Sequence, residues 1–378
     1  MKKLRVMVTG GGSGGHIAPI IAVVSELQIE AAKQALNLKI KYLGACGGYR
    51  DLLEENNIAV SQIVLSRLSR NFFLKNIIEI PKFLVSFFQA LWGVYWFMPD
   101  ILFSKGGPGS LPVVLSATFY RIPIIVHESD SVPGFSNKVA SRFAKKTIIS
   151  FPSAEKYFSG NAILLGNPIR ENLLKNLLTK AEAKRYLGFS AELPLIFVYG
   201  GSLGSVRINN LILGGLKEIL SLTQVFHQTG KNNYENVLSA AGELLVKIPI
   251  GLRDNYKVTD FLVKDEDVKI AYLAADLVVA RAGAANIFEI AAFGKPSVLI
   301  PLPESAGNHQ KNNAYEYATN GAAEILEEKD VFPEIFVSTI KDLLGDSSRL
   351  EKMSVAARAF YKPGAAKKIA EVILGLTK

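Results

Sequence analysis

Residues 6–19, VMVTGGGSGGHIAP, decide which fold the rest of the chain is expected to have. An apolar strand runs into a loop with five glycines and then into a helix start that carries His16. Glycine has no Cβ, so this backbone can turn tightly and bring its N–H groups against a phosphate or another oxyanion. The helix that follows adds the positive end of its dipole. The stretch therefore predicts an anion-binding loop at the carboxyl end of a parallel strand.

A dinucleotide site is the main alternative for this loop, because it also begins with a strand, glycines and a helix. Such a site places an acidic residue at the end of the second strand, about 20 residues further on. Here the second predicted strand, residues 40–43, runs into GACGG at 44–48, with no acid at that point. A dehydrogenase is therefore disfavoured, while a tight turn that binds nothing stays open.

The composition is typical of a globular protein with a large core. The 378 residues suffice for two domains, and 49% of them are hydrophobic against 20% charged. The single cysteine, Cys46, excludes an internal disulfide and a cysteine metal cluster. The first residues are basic but continue into a strand and a glycine loop, so we expect no signal peptide.

The net charge of +9 is concentrated in the first half of the chain. Residues 1–165 carry +8 and residues 166–378 carry +1. The basic residues are scattered and match no nucleic-acid recognition motif, so nucleic acid is not an expected partner. An anionic membrane surface is the favoured partner for this charge.

The most apolar segment, residues 72–98, reads FFLKNIIEIPKFLVSFFQALWGVYWFM. Its uncharged part, 83–98, is shorter than the roughly 20 apolar residues that span a bilayer. Pro81 predicts a helix start, and we expect residues 83–97 to form a crossover helix buried against the sheet. The earlier part mixes apolar and basic residues and predicts an amphipathic surface that enters lipid headgroups. Its members are Phe72, Phe73, Ile77, Ile78 and Phe83 with Arg67, Arg70, Lys75 and Lys82.

Short β-branched runs alternate with helical patterns in both halves, which indicates parallel sheets with helices on both faces. Strands are predicted at 4–9, 40–43, 101–104, 124–127 and 147–149, and again at 195–199, 224–227, 256–259, 277–280 and 297–300. The predicted fold is α/β, with a Rossmann-like doubly wound domain over 1–165 and a second one over 166–359. We expect the final helices, 347–361 and 367–376, to return to the first domain, which then includes roughly residues 360–378.

Further motifs place reactive groups at strand ends. KGGPGS at 105–110 and GGSLGS at 200–205 repeat the glycine loop. The strand that leads into HESD ends in His127, Glu128 and Asp130. His127 and Glu128 are candidates for acid–base chemistry, although such a histidine is as often structural.

RAGAANIFE at 281–289 predicts a helix start whose amides take a diphosphate. Glu289 on that helix would accept both hydroxyls of a ribose, and a solvated surface carboxylate is the alternative. Asn308, His309 and Gln310 lie at a further helix start and suit sugar hydroxyls.

With these motifs, the chain resembles the MurG family, glycosyltransferase family 28, over nearly its whole length. The motifs follow in order as GGGSGGHIAP at 10–19, HESDSVPGFSNK at 127–138, GNPIR at 166–170, GGSLGS at 200–205, HQTG at 227–230, VTDFL at 258–262, RAGAANIFE at 281–289 and HQKNNA at 309–314. The resemblance implies a GT-B fold, in which two Rossmann-like domains face each other across a cleft. It implies an inverting transferase that moves N-acetylglucosamine from UDP-N-acetylglucosamine to the 4-hydroxyl of the N-acetylmuramyl unit of lipid I. The product, lipid II, would serve peptidoglycan synthesis and with it cell shape and division.

The resemblance also implies the site residues. His16 is the implied general base, and Glu128 is the second candidate; an imidazole with an ordinary pKa of about 6.5 suits that role at neutral pH. The implied substrate-binding residues are Ser13, Gly14, Gly15, Asp130, Asn137, Arg170, Ser202, Leu262, Ala284, Ala285, Asn286, Ile287, Phe288, Glu289 and Gln310. UDP-N-acetylglucosamine is a substrate, so no cofactor is implied, and without a DxD-type acidic pair no obligatory metal is expected. The implied location is the cytoplasmic face of the bacterial inner membrane, with peripheral attachment.

The sequence departs from the family pattern at three positions. Asp130 stands where asparagine is usual, Leu203 where glutamine is usual and Pro108 where tyrosine is usual. Asp130 adds a negative charge close to a pyrophosphate-bearing acceptor, which is consistent with an altered donor or acceptor preference. Three alternatives therefore stay open: a GT-B enzyme that glycosylates diacylglycerol, a UDP-N-acetylglucosamine 2-epimerase and a non-catalytic sugar-nucleotide-binding protein. His16 beside the glycine loop argues against the last.

Overall fold

The computed structural model describes residues 2–66, 73–158, 160–201, 204–262 and 264–377, with the side chains of all of them except 73–78 and 306. The chain forms two compact units. Unit 1 comprises Met1–Arg170 and Lys362–Lys378, and unit 2 comprises Glu171–Tyr361. The sequence placed the boundary at 165/166, shortly before the point where unit 1 ends.

Unit 1 is built on a parallel sheet. Its strands are β1 Lys3–Thr9, β2 Asn37–Gly44, β3 Ala59–Gln62, β4 Ile101–Ser104, β5 Ile124–Glu128, β6 Lys146–Ile149 and β7 Ala162–Leu164, in the spatial order β3-β2-β1-β4-β5-β6-β7. The helices along the chain are α1 Gly14–Lys33, α2 Arg50–Glu55, α3 Phe73–Phe97, α4 Ser110–Phe119 and α5 Phe135–Ala140. Because helices cover both faces of the sheet, β1 is apolar on both sides. Val6 and Val8 join one hydrophobic core with α1, and Met7 joins another with α3 and α4.

Unit 2 repeats this plan. Its strands are β8 Leu195–Tyr199, β9 Gln224–Gln228, β10 Tyr256–Thr259, β11 Leu277–Ala280, β12 Ser297–Leu299 and β13 Ala323–Ile325, in the order β10-β9-β8-β11-β12-β13. The helices are α6 Lys180–Tyr186, α7 Val206–Gly214, α8 Leu216–Leu222, α9 Tyr234–Val246, α10 Ile250–Arg253, α11 Asp265–Ala274, α12 Ala284–Ala292, α13 His309–Thr319, α14 Pro333–Gly345 and α15 Ser347–Phe360. The predicted pair of doubly wound α/β folds is therefore confirmed.

The final helices divide between the units, so the expectation that both return to unit 1 is wrong. Only the last helix, α16 Ala365–Gly375, does so, and its Ile369 and Ile373 share a core with Ile17 and Ile20 of α1. The helix before it, α15, belongs to unit 2, where the Phe360 ring contacts the rings of Phe288 and Tyr317. Both helices are amphipathic, and the sequence does not say which core each one covers.

Helix α3 contradicts two expectations. Pro81 lies inside the helix rather than at its start. The part from Phe83 to Phe97 is not buried throughout, because only Ser86, Ala90 and Val94 in it are buried. Phe97 packs partly buried against the same core, whereas Leu84, Phe88, Trp92 and Trp96 are exposed. No helix among the described residues is long and apolar enough to cross a membrane.

Candidate active site

The first two glycine loops lie side by side in unit 1, because β1 and β4 are neighbouring strands. The Gly11 N–H donates to the Gly106 carbonyl at 2.8 Å, and the Lys105 N–H donates to the Thr9 carbonyl at 2.8 Å. The loop after β2 also joins them, since a Cβ on Gly12 would lie 2.7 Å from the Ala45 oxygen. The loops that follow β1, β2 and β4 therefore meet at one edge of the sheet.

Two glycines of the second loop leave room for neighbouring polar side chains. Gly106 and Gly107 have φ values of 79° and 86°, which other residues rarely adopt. A Cβ on Gly107 would lie 2.5 Å from the His16 Nε2 atom, and one on Gly106 would collide with the Asn137 amide. The glycines are therefore required by contact with His16 and Asn137 as well as by backbone conformation.

His16 lies in the first turn of α1, at the centre of these loops. Its Nδ1 atom is 2.8 Å from the Ser13 hydroxyl, which fixes the ring. Burial, together with the positive charge of Lys105, lowers the imidazole pKa to about 3. The expected ordinary pKa is therefore wrong. The ring is neutral at pH 7, with one nitrogen free of a proton.

Glu128, the second candidate base, closes the turn that follows β5. Its carboxylate accepts from the N–H groups of Asp130 at 2.9 Å and Gly134 at 3.2 Å, and from the Asn137 amide at 2.9 Å. Asn137 also donates to the His127 carbonyl at 3.1 Å. Burial, followed by the nearby Asp130 carboxylate, raises the pKa of Glu128. These bonds occupy the carboxylate, so His16 is the better placed base.

His127 was a candidate for acid–base work, and its position contradicts that role. The side chain is fully buried, with Nε2 at 3.2 Å from both the Gly166 carbonyl and the Ser150 hydroxyl. Arg170, a predicted substrate residue, is the last residue of the first segment of unit 1 and is half-buried.

Lys105 is the polar residue of this region that sequence reasoning missed. It follows β4 directly and is 1% exposed, and its ammonium donates to the Ser129 hydroxyl at 2.8 Å. Burial lowers its pKa, while the carboxylates of Glu128 and Asp130 oppose that change. A lysine at the carboxyl end of a buried strand, in front of two glycines, was the available signal.

In unit 2 the third glycine loop leads from β8 to α7. Ser202 lies outside the described residues, so its predicted role stays a prediction. Ser205 caps α7 by accepting the Ile208 N–H at 3.3 Å, and it also accepts a hydrogen bond from Arg281 at 2.7 Å. Arg281 is buried and forms an ion pair with Glu328 at 2.7 Å. Its side chain therefore links the end of the loop, at Ser205, to Glu328.

The start of α12 presents two of the predicted residues on one face. Ala285 and Glu289, four residues apart, are partly exposed, whereas Ala284, Asn286, Ile287 and Phe288 are buried. The Glu289 carboxylate accepts a hydrogen bond from the Tyr272 hydroxyl at 3.1 Å, which orients it. The helix start therefore combines first-turn amides, to which the N-cap Gly283 offers no side-chain partner, with an oriented carboxylate. These are the groups that a diphosphate and a ribose need.

The remaining predicted residues of unit 2 lie at the same carboxyl edge of its sheet. The Leu262 N–H donates to the Gln228 side chain at 3.2 Å. The Gln310 side chain accepts the Leu302 N–H at 3.0 Å, in the first turn of α13. No group of three or more histidine, cysteine or acidic residues suited to a metal occurs in the described part of the chain.

Two parallel α/β units with glycine loops at their strand ends, one carrying a histidine and the other an oriented carboxylate, define a glycosyltransferase of the GT-B class. The N-terminal domain of glycosyltransferase family 28 matches residues 6–149, and the C-terminal domain of the same family matches residues 195–371. The chain belongs to this family, and within it to the MurG proteins.

Individual relatives are similar to this chain over nearly its full length. A protein of Clostridium kluyveri is 34% identical and covers 93% of this chain and 95% of its own length. One of Thermoanaerobacter sp. is 35% identical over 99% of this chain and 100% of its own. Both are named UDP-N-acetylglucosamine–N-acetylmuramyl-(pentapeptide) pyrophosphoryl-undecaprenol N-acetylglucosamine transferase. The crystal structure of MurG from Acinetobacter baumannii superposes with a TM-score of 0.76, at 27% identity, covering 98% of this chain and 99% of its own.

Proposed function

We propose that this enzyme transfers N-acetylglucosamine from UDP-N-acetylglucosamine to the 4-hydroxyl of the N-acetylmuramyl unit of lipid I, with inversion, to give lipid II. The observation that carries the proposal is the activity named for the relatives, which are similar to this chain from end to end. The two sets of glycine loops support it, because the donor and the acceptor both carry a diphosphate.

Unit 2 is the proposed donor-binding unit. The amides at the start of α12 receive the diphosphate, and Glu289, oriented by Tyr272, accepts the ribose hydroxyls. Leu262 and Gln310 complete the proposed set in unit 2 with Ser202, and Arg170, a residue of unit 1, stays a predicted substrate residue. Helix-end amides stabilise the charge that develops on the leaving UDP, so no metal and no cofactor is proposed.

Unit 1 is the proposed acceptor-binding unit, with His16 as the base. As the acceptor oxygen attacks the anomeric carbon, its proton passes to the imidazole, the bond to UDP breaks and UDP leaves with the electron pair. The low pKa of free His16 keeps the nitrogen unprotonated before binding. The acceptor pyrophosphate, placed against the glycine loops, then raises the basicity of the ring, because a nearby anion favours the imidazolium.

An exposed apolar face of α3 is the proposed membrane attachment site. Leu84, Phe88, Trp92 and Trp96 follow one another at four-residue spacing, and the last three are each about two-thirds exposed. Tyr95 extends this face to Tyr120, and Phe119 beside it is 69% exposed. Aromatic side chains of this kind settle at membrane interfaces.

The face supports peripheral binding to an anionic membrane, at the cytoplasmic side of the inner membrane, where lipid I would be met. It consists of other residues than the amphipathic surface predicted from the sequence. Most of the residues of that surface, among them Phe72 and Ile77, lie outside the described side chains, so it stays a prediction. Supply of lipid II from this location would serve cell shape and division.

One assay tests the proposed reaction. Radiolabelled UDP-N-acetylglucosamine is incubated with the protein and either lipid I, diacylglycerol or no acceptor. We expect label in lipid I alone. Label in diacylglycerol, or free epimer without acceptor, would assign the enzyme to one of the two alternative reactions instead.

A further inference from the structure

Lys105 is a buried cation to which the family resemblance gives no role. Its side chain is 1% exposed, between the glycine loop that follows β1 and the end of β5. An ammonium group is rarely buried to this degree unless it is paired, because removal from water costs several kcal/mol. The surroundings of Lys105 must therefore offset that cost.

The compensating groups all lie at one corner, residues 128–130. The Ser129 hydroxyl accepts a hydrogen bond from the ammonium at 2.8 Å. The carboxylates of Glu128 and Asp130 both favour the charged form of Lys105. Glu128 is in turn fixed by the Asp130 N–H and by Asn137, so the lysine is bonded to a rigid turn.

This arrangement gives Asp130 a physical explanation. The aspartate adds a second negative charge beside Glu128, whose pKa it raises. The ammonium of Lys105 offsets this second charge, because both carboxylates favour the charged form of the lysine. The charge of Asp130 is therefore balanced within unit 1.

We propose that Lys105 and Asp130 form a compensating charge pair, and that Lys105 is a positioning residue that holds the Glu128–Asp130 corner beside His16. This inference rests on the proposed function for its kinetic consequences. It predicts that the two residues are coupled, so that neutralising one is harmful and neutralising both is less so.

The ionisable groups around Lys105 determine the sign of the pH effect. They are His16 on α1, His127 and Glu128 on β5, Asp130 after it, and Tyr42 on β2, whose raised pKa keeps it neutral. Without Lys105, His16 loses a neighbouring positive charge and its pKa rises. Glu128 loses a positive charge that lowers its pKa, so its pKa rises further. Both changes move the acidic side of the activity profile to higher pH.

The experiment compares Lys105→Met, Asp130→Asn, the double variant and Lys105→Arg, with kcat and KM for transfer to lipid I measured across pH. We expect Lys105→Met to lower kcat at pH 7 by about tenfold or more and to move the acidic limb up by about one pH unit. The kcat of the double variant should be about fivefold higher than that of Lys105→Met. The pH profile of Lys105→Arg should have the same acidic side as that of the wild type.

Lys184→Met is the matched control. Lys184 is as buried as Lys105 and pairs with Asp276, but it lies in unit 2. Its loss should reduce stability without moving the pH limb. UDP binding, measured by calorimetry, should be the same in all Lys105 and Asp130 variants.

Two results would contradict the proposed charge pair. The acidic side of the pH profile of kcat could be the same in Lys105→Met as in the wild type, or the fold-loss of kcat in the double variant could equal the product of the two single losses. An NMR titration of the His16 imidazole gives the same answer without an acceptor: its pKa should rise in Lys105→Met and stay unchanged in Lys184→Met. If the wild-type enzyme transfers nothing to lipid I, the proposed function fails, and this titration still decides whether Lys105 acts on His16.

Discussion

The two units present similar loops, but they enclose their charges differently. In unit 1 the charged groups at the strand ends, Lys105 and Glu128, are buried and have shifted pKa values. In unit 2 the buried charges next to the glycine loop, Arg281 and Glu328, form an ion pair, and Glu289 stays partly exposed. Burial tunes proton affinity, whereas an exposed oriented carboxylate binds hydroxyls. This difference matches the proposed division, in which unit 1 carries the proton transfer and unit 2 carries the binding of the donor.

His16→Ala should have the largest effect, and it tests whether unit 1 carries the proton transfer. Loss of a general base should lower kcat by about 10²–10⁴-fold and leave the KM for UDP-N-acetylglucosamine nearly unchanged. Steady-state kinetics with lipid I measure both constants. Ser13→Ala, which removes only the bond to Nδ1, is the control and should have a much smaller effect. A variant at position 16 with near-normal kcat would show that the base is elsewhere.

The buried pair of unit 2 should affect stability more than chemistry. Arg281→Met leaves Glu328 buried, with the half-exposed Arg207 as its remaining ion-pair partner among the described residues. It should lower the free energy of unfolding by about 3 kcal/mol. Urea unfolding measures this. The matched change Arg207→Met removes an exposed partner and should cost about 1 kcal/mol or less. Equal losses would mean that burial of Arg281 is not what matters.

Glu289→Gln tests whether unit 2 binds the donor through its ribose. Loss of a charged acceptor should raise the KM for UDP-N-acetylglucosamine about tenfold, with little change in kcat. Tyr272→Phe removes only the 3.1 Å bond that orients the carboxylate and should have a smaller effect. The decisive comparison uses a donor with a deoxyribose. If Glu289→Gln weakens that donor as much as the normal one, the carboxylate does not bind the ribose.

The smallest expected effect is on membrane binding, and it compares an exposed apolar residue of unit 1 with one of unit 2. Trp96→Gln on α3 should weaken binding to anionic vesicles by about tenfold or less, the contribution of one aromatic side chain at an interface. Vesicle co-sedimentation measures it. Ile250→Gln is the control, because Ile250 is a 78% exposed apolar residue of unit 2. Equal binding by both variants would remove the α3 face from the attachment site.

The sequence was informative where a segment's own pattern determines its structure. The central strands β4, β8 and β11 match the predicted limits because they are short, nearly all apolar and almost wholly buried. The edge strands β3, β7 and β13 were missed because each has only three or four residues and is partly exposed.

The site was predictable to the level of loops but not of charges. Glu289 could be placed on a helix from its spacing, yet its bond to Tyr272 depends on how α11 packs against α12. Lys105 was missed and the pKa of His16 was wrong for the same reason. Both depend on β1, β4 and β5 being neighbours, which the order of segments along the chain does not reveal.

The return of α16 to α1 has a consequence for synthesis on the ribosome. Ile17 and Ile20 belong to a core that is completed by residues from the last part of the chain. Domains usually fold one after another as they emerge, beginning at the N-terminus. Here unit 1 begins to be translated first but is completed last. The whole of unit 2 is therefore translated before α16 is available to pack against the hydrophobic face of α1.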